Sequence, residues 1–260
     1  MKALRLAVAI FSMSLRRNLA YRTNLLFDVL SNLLTNATGL AVLGVIYEWT
    51  DTLGGWSQAE AIVLFGTWLV VGGVLWTCIE PNLGWFQNQV IEGRLDDVLL
   101  RPVPSIILVS LGTCAPLGLT QVLTGLVVVG LGAGVLDRMP GAPGVLAWCG
   151  LLVGAVVFTW ASRVALASLT FWAPAFQPEV LYMAVWQLGR YPVSIYRQPV
   201  RAALTYILPM ALVSTLPAQA LTQGVNVGAF ALAASASLAM VVVANLAWRG
   251  GVRRYTSATS

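Results

Sequence analysis

A run of charge stranded between apolar stretches, each long enough to cross a bilayer, limits this chain more than any other feature. It reads Ile91-Glu92-Gly93-Arg94-Leu95-Asp96-Asp97-Val98-Leu99-Leu100-Arg101-Pro102. Placing Glu92, Arg94, Asp96, Asp97 and Arg101 at a bilayer centre would cost roughly 2.5 to 3.5 kcal/mol each. This island therefore stays in water while its flanks cross lipid. Its alternation of charged and apolar residues is that of a short amphipathic helix, which a membrane protein displays on one face for something to meet.

Apolar residues make up 58% of the 260 and charged residues 10%, where a soluble domain carries about 25% charge. The expected fold is all-α, a polytopic transmembrane helical protein in one domain over 1–260. Hydropathy predicts six spans, at 24–47, 59–78, 106–136, 144–165, 203–216 and 227–248. The third is longer than a span needs, so it tilts or protrudes. The fifth is short and broken by Pro209 and Pro217. Residues 1–22, with Lys2, Arg5, Arg16, Arg17 and Arg22, read as an amphipathic helix on the membrane surface. A frayed tail is the plainer alternative. No small-residue cleavage pattern makes this stretch a signal peptide.

Basic residues orient the spans. All 15 lie in 1–22, in the island, at Arg163, at 190–201 or beyond 248, except Arg138. That bias places both termini and the island in the cytoplasm, with the chain integral to a prokaryotic cytoplasmic membrane. The net charge of +5 then reports topology and lipid contact, with no call for nucleic acid. The stretch 166–188 is apolar enough for a seventh span. An extra crossing would move Arg249, Arg253 and Arg254 outside, and Pro174 and Pro178 interrupt it. The expectation for 166–201 is a second cytoplasmic or interfacial segment. Trp49, Trp56, Trp76, Trp148 and Trp248 stand near span ends as interfacial anchors. Trp68 and Trp160 lie deeper, where they either pack or line a path for a greasy substrate.

Common enzyme chemistry has no footing here. The chain has no histidine, which removes the usual general base. Its one lysine, Lys2, excludes a phosphate-binding loop of the G-K-[ST] type. Cys78, Cys114 and Cys149 are too scattered for a disulfide framework or a metal cluster. No catalytic, cofactor-binding or metal-binding residue emerges. Asp28, inside the first span, pairs locally, snorkels or serves ion transport. Arg163 snorkels or pairs with Asp28. Gly66, Gly72, Gly73, Gly130, Gly132 and Gly134 offer close helix approach, with Gly130 and Gly134 at the i, i+4 contact spacing. Pro209 and Pro217 imply a kinked helix that turns back near the outer face, either a mobile gate or a static kink.

A basic amphipathic start, two spans, a charged helix and four more spans with a broken fifth form a specific order. The chain resembles the membrane subunits of ABC-2 type ABC transporters over essentially its whole length. It is most similar to a six-span branch of permeases of about this length with a Gly-acidic-Leu-Leu-Arg-Pro signature, which the island fits. Tyr191-Pro192-Val193-Ser194-Ile195-Tyr196 and Leu208-Pro209-Met210-Ala211 also look like that branch. The resemblance implies that 1–22 is an elbow helix and that a coupling helix within 80–102 seats in a groove of a separate ATP-binding subunit. It implies two copies of that ATPase, which would bind ATP and Mg²⁺, and a second permease, identical or a sister chain. On this reading Glu92, Arg94, Asp96, Asp97 and Arg101 offer a mixed-charge docking face, and Leu95, Val98, Leu99 and Leu100 an apolar ridge. The plainer reading of the island is a solvated loop. The function expected is export of an amphipathic or hydrophobic substrate. An ion-coupled secondary transporter and a non-transporting membrane scaffold are the alternatives.

Overall fold

The computed structural model describes residues 22–101, 104–174, 176, 178–207 and 209–255. The elbow expected at 1–22 therefore falls outside the described residues except for its last position, as does Pro102. Among the described residues the regular structure is helical. It comprises α1 (Arg22–Glu48), α2 (Gln58–Cys78), α3 (Glu80–Ile91), α4 (Asp96–Leu99), α5 (Ser105–Leu111), α6 (Gly118–Val135), α7 (Ala142–Ser168), α8 (Pro178–Leu188), α9 (Leu216–Thr222) and α10 (Val227–Arg254). Five stretches, in α1, α2, α6, α7 and α10, are long and apolar enough to cross a membrane.

Local chemistry sets the boundaries. Ser57 opens α2 with a capping box: its hydroxyl accepts from Glu60 N–H and its own N–H donates to the Glu60 carboxylate. Gly93, at φ +67°, takes the left-handed conformation that ends α3 at little cost. The single span expected over 106–136 is instead split. Residues 112–117, with Pro116, part α5 from α6, and Asn82 fills the gap. Its Oδ1 accepts from Thr113 N (2.7 Å) and Thr113 Oγ1 (2.9 Å), while its Nδ2 donates to Thr113 O and Cys78 O. The break thus keeps its backbone groups satisfied.

The core is a seam between antiparallel α2 and α6. A Cβ added at Gly125 would lie 2.8 Å from Gly66 O and from Val70 N, and one at Gly66 would lie 2.7 Å from Val129 N. At Gly73 it would meet Val122 N at 2.6 Å, and at Gly132 Val63 N at 3.0 Å. Gly118, Gly125 and Gly132 recur every seven residues, as do Gly66 and Gly73, so one stripe on each helix lets the backbones touch. The i, i+4 pair read from sequence is not the one used: nothing lies within 4 Å of a Cβ at Gly130 or Gly134. A second close pair joins α7 to α10, where Ser237 Oγ donates to Gly154 O at 2.9 Å.

These contacts define two ends of the bundle. At the island end lie the last turn of α2, the first of α6 and the last turns of α7 and α10. At the far end lie 49–57, 136–141 and 223–226. The stretch 178–195 runs between them, which corrects the interfacial placement expected for 166–201. Glu179, at its start, sits 3.4 Å from Arg163. Trp186, halfway, takes the Trp68 indole N–H on its carbonyl at 3.0 Å. Ser194 donates to Gly54 O in the far-end loop at 2.8 Å. Gly54 (φ +62°) has no room for a side chain there, since a Cβ would sit 2.7 Å from Ser194 Oγ.

The span expected at 203–216 does not cross. Two wide five-residue helical turns, Ala203–Ile207 and Ala211–Thr215, flank Pro209. Leu212 packs with Phe158 at mid-bundle, Ser214 donates to Gly189 O at 2.6 Å, and Gln223 returns to Glu60 at the far end. This is a re-entrant hairpin. Non-helical backbone at such depth is tolerated when protein covers it, and Leu212, Val213 and Ser214 are all buried. Among the described residues five helical stretches, against the six spans expected, are long and apolar enough to cross a membrane. Arg197 and Arg201 move to the far end. Three of the five tryptophans expected as interfacial anchors, Trp56, Trp148 and Trp248, are buried in the bundle, whereas Trp49 and Trp76 are exposed.

Candidate functional site

The island is fastened to the bundle through its inner face. Leu95 is fully buried and Val98 nearly so, and Leu95 N–H donates to the Tyr255 hydroxyl at 2.9 Å. Phe86 of α3 packs on Trp248 of α10 (centroids 5.0 Å apart) and on Phe171 after α7 (5.4 Å). Phe171 in turn meets Tyr255. The apolar ridge expected for docking is therefore split. Leu95 and Val98 anchor the island, and Leu99 packs half-buried against the same core. What remains outward is Trp85 and Ile91 on α3 and Leu100, 83% exposed, beside Glu92, Arg94 and Arg101. Glu92 and Arg94 pair at 3.2 Å in the open, worth little in water. Asp96 is half-buried at the start of α4, next to Asp97.

Beneath the island lies a buried charge cluster. Arg163 of α7 is 3% exposed and binds Glu80 of α3 through its Nη2. It also reaches Glu179 of α8, and its guanidinium stacks over the Tyr182 ring at 4.7 Å. Burial pushes the Glu80 carboxyl above its ordinary value, and the charge of Arg163 pulls against that push. The pairing weighed from sequence, Arg163 with Asp28, does not form. Sequence pattern had no means to choose among three carboxylates, because Glu80 and Glu179 lie 83 residues before and 16 after Arg163.

Asp28 lines something else: a cleft of about 510 Å³ among α1, α2, α6 and α8. One wall is polar, with Asp28, Asn32, Thr35 and Asn36 on a single face of α1. The opposite wall is aromatic, from Phe65, Trp68, Trp76 and Trp186, and Gln121, Gln187 and Arg190 complete the lining. Of the two tryptophans expected on a substrate path, Trp68 lines this cleft. Trp160 does not, and packs half-buried against the core. Pro217 is buried in the first turn of α9, where a proline N–H is not needed. Pro209 stands at the tip of the re-entrant hairpin. Among the described residues no group of His, Cys, Asp or Glu could hold a metal.

No curated protein and no solved structure shows a significant match to the chain. The family model described as ABC-2 family transporter protein matches residues 33–259, which takes in the island, the buried cluster, the cleft and the hairpin. The chain belongs to the ABC-2 family of transporter proteins.

Proposed function

We propose that the chain is the permease of an ABC exporter whose ATP is bound and hydrolysed, with Mg²⁺, by two copies of a separate ATP-binding subunit. The observation that carries this reading is the two-sided island. Its inner face is locked to α7 and α10, and its outer face presents Trp85, Ile91, Leu100 and a rim of charge to water. A merely solvated loop needs no such anchor. Motion of a docked ATPase would pass through Phe86 and Leu95 to α10, and through Glu80 and Arg163 to α8. A second permease, identical or a sister chain, would complete the path. The substrate would be amphipathic or hydrophobic, and the re-entrant hairpin around Pro209 and Pro217 would gate the far end.

The orientation proposed is island and termini in the cytoplasm, in a prokaryotic cytoplasmic membrane. Arg94, Arg101, Arg249, Arg253 and Arg254 gather at the island end against Arg138, Arg197 and Arg201 at the far end. The bias is weaker than the six-span sequence reading implied, but it has the same sign.

The test is a mild-detergent pull-down of the tagged chain from native membranes, compared with Leu100→Asp. A soluble ATP-binding subunit should co-purify with the natural chain. Its recovery should fall more than about tenfold with the variant, as expected for a desolvated contact worth over about 1.4 kcal/mol, while membrane insertion is retained. Equal recovery would remove the docking assignment. Transport that persists without an ATPase and collapses with an ion gradient would select a secondary transporter. No nucleotide-dependent change in accessibility at Cys78, Cys114 or Cys149 would select a scaffold.

A further inference from the structure

Among the described residues Arg190 is a half-buried cation, at the level of mid-bundle, that joins no ion pair with a carboxylate. Gly189, its neighbour, lies against the Trp68 ring at the middle of α2. The described ion pairs join Arg94 to Glu92 and Arg163 to Glu80 and Glu179, and none includes Arg190. Its guanidinium is 5.1 Å from the Tyr191 ring, and its buried Nε has no hydrogen-bond partner. A charge at such depth is costly and is ordinarily met by a partner group or a polar path. Here it faces the cleft.

The rest of the cleft states what that partner would look like. The polar face of α1 runs from Asp28 near the island end to Asn36 at mid-depth, eight residues or roughly 12 Å of helix. Asn36 Nδ2 donates to Asn32 Oδ1 at 2.8 Å, which leaves Asn32 amide hydrogens and the Asn36 carbonyl oxygen for other company. Across from them stand flat apolar rings, with Trp68 and Trp186 5.9 Å apart. A solute lying here meets hydrogen-bonding groups on one flank, aromatic faces on the other, the guanidinium of Arg190 and the carboxylate of Asp28.

Building on the transport reading, we infer that this cleft binds an elongated amphipath whose acidic head sits at Arg190. Its hydroxyl, amide or ammonium donors lie along α1 toward Asp28. The guanidinium supplies a forked, permanently charged donor set for a carboxylate or phosphate. The rings hold the apolar body without needing its exact shape. A simple hydrocarbon would leave both charges unmet, and a simple cation would meet Arg190 with repulsion. The cleft therefore selects against the most general greasy substrate.

The experiment uses the full-length chain in phosphatidylcholine nanodiscs with N-dodecanoylserine bearing a diazirine on its chain. Photolabelled residues are mapped by mass spectrometry. Adducts should concentrate on Trp76, Met183 and Trp186. Labelling should fall about tenfold in Arg190→Gln, recover in part in Arg190→Lys and stay unchanged in Arg201→Gln, an exposed far-end arginine. On the natural chain, unlabelled N-dodecanoylserine should compete and dodecyltrimethylammonium should not. Competition by the cation, labelling spread along the lipid face of α10, or labelling unchanged in Arg190→Gln would each overturn the inference. So would loss of a permease pair in that variant with labelling per remaining pair unaltered, which would make Arg190 an interface charge. Recovery of an ATP-binding subunit, read on the same preparations, reports on the transport reading and leaves the cleft result separate.

Discussion

The two ends of the bundle are built on different chemistry. At the island end a guanidinium, two carboxylates and a cluster of aromatic rings tie α3, α7, α8 and α10 together. From mid-bundle to the far end the hairpin and the 49–57 loop are held by neutral hydroxyls on backbone carbonyls and by one amide on Glu60: Ser214 to Gly189 at mid-depth, then Ser194 to Gly54 and Gln223 to Glu60 at the far end. Charged contacts out of water fail together when one partner goes, because the remaining charge is stranded. Neutral contacts of this kind in membrane proteins average about 0.6 kcal/mol and fail one at a time. The island end is suited to move as one piece, and the far end to yield turn by turn.

The sharpest way to break that contrast is Arg163→Met. It strands the Glu80 carboxylate under α3 and removes the link to Glu179. The loss of stability should be about 3 to 5 kcal/mol, read as a large drop in the thermal unfolding midpoint in detergent. Adding Glu80→Gln in the same chain should recover much of it, since the stranded charge is then gone. A single variant as stable as the natural chain would mean that water reaches the cluster and that the island end is not a unit.

Next in size is the seam that both ends share. Gly125→Leu would drive side-chain atoms into the α2 backbone at Gly66 and Val70, an overpacking cost of about 1 to 3 kcal/mol or more. Gly130→Leu, five residues along the same helix, meets open space and should change the unfolding midpoint little. If the two variants behave alike, the seam does not set the spacing of α2 and α6.

That pair of glycines also marks what the sequence could and could not tell. Apolar run length exposed the five long helices, and charge density exposed the island, because both are additive properties of a segment. The stretch 166–188 does register as apolar enough for a span, and is set aside because a seventh crossing would move Arg249, Arg253 and Arg254 outside and because Pro174 and Pro178 interrupt it. Its regular helix has only 11 residues. The hairpin was mistaken for a crossing because apolar content does not report whether a segment turns back. On the island, Leu95 and Leu100 have the same composition and opposite surroundings, and only the position of Tyr255, 160 residues away, separates anchor from docking face. Arg190 read as a cytoplasmic charge for the same reason: its depth follows from where Trp186 and Gly189 lie.

The smallest effect tests the hairpin alone. Ser214 is fully buried, and its hydroxyl bond to Gly189 O joins the returning arm of the hairpin to the traverse that carries Arg190. Ser214→Ala should cost only about 0.6 to 1 kcal/mol, with almost no shift in global unfolding. A local opening should feel that amount in full, however. Hydrogen exchange across 203–222 should then quicken about three- to fivefold, the ratio that RT of about 0.59 kcal/mol assigns to such a loss, while amides in α3 and α4 stay unchanged. Exchange that quickens equally at both ends would mean the hairpin is not a separate opening unit, and a gate at Pro209 would lose its structural basis. Acceleration confined to the hairpin would place the weakest joint of the molecule beyond Arg190, on the side where the proposed export would release its solute.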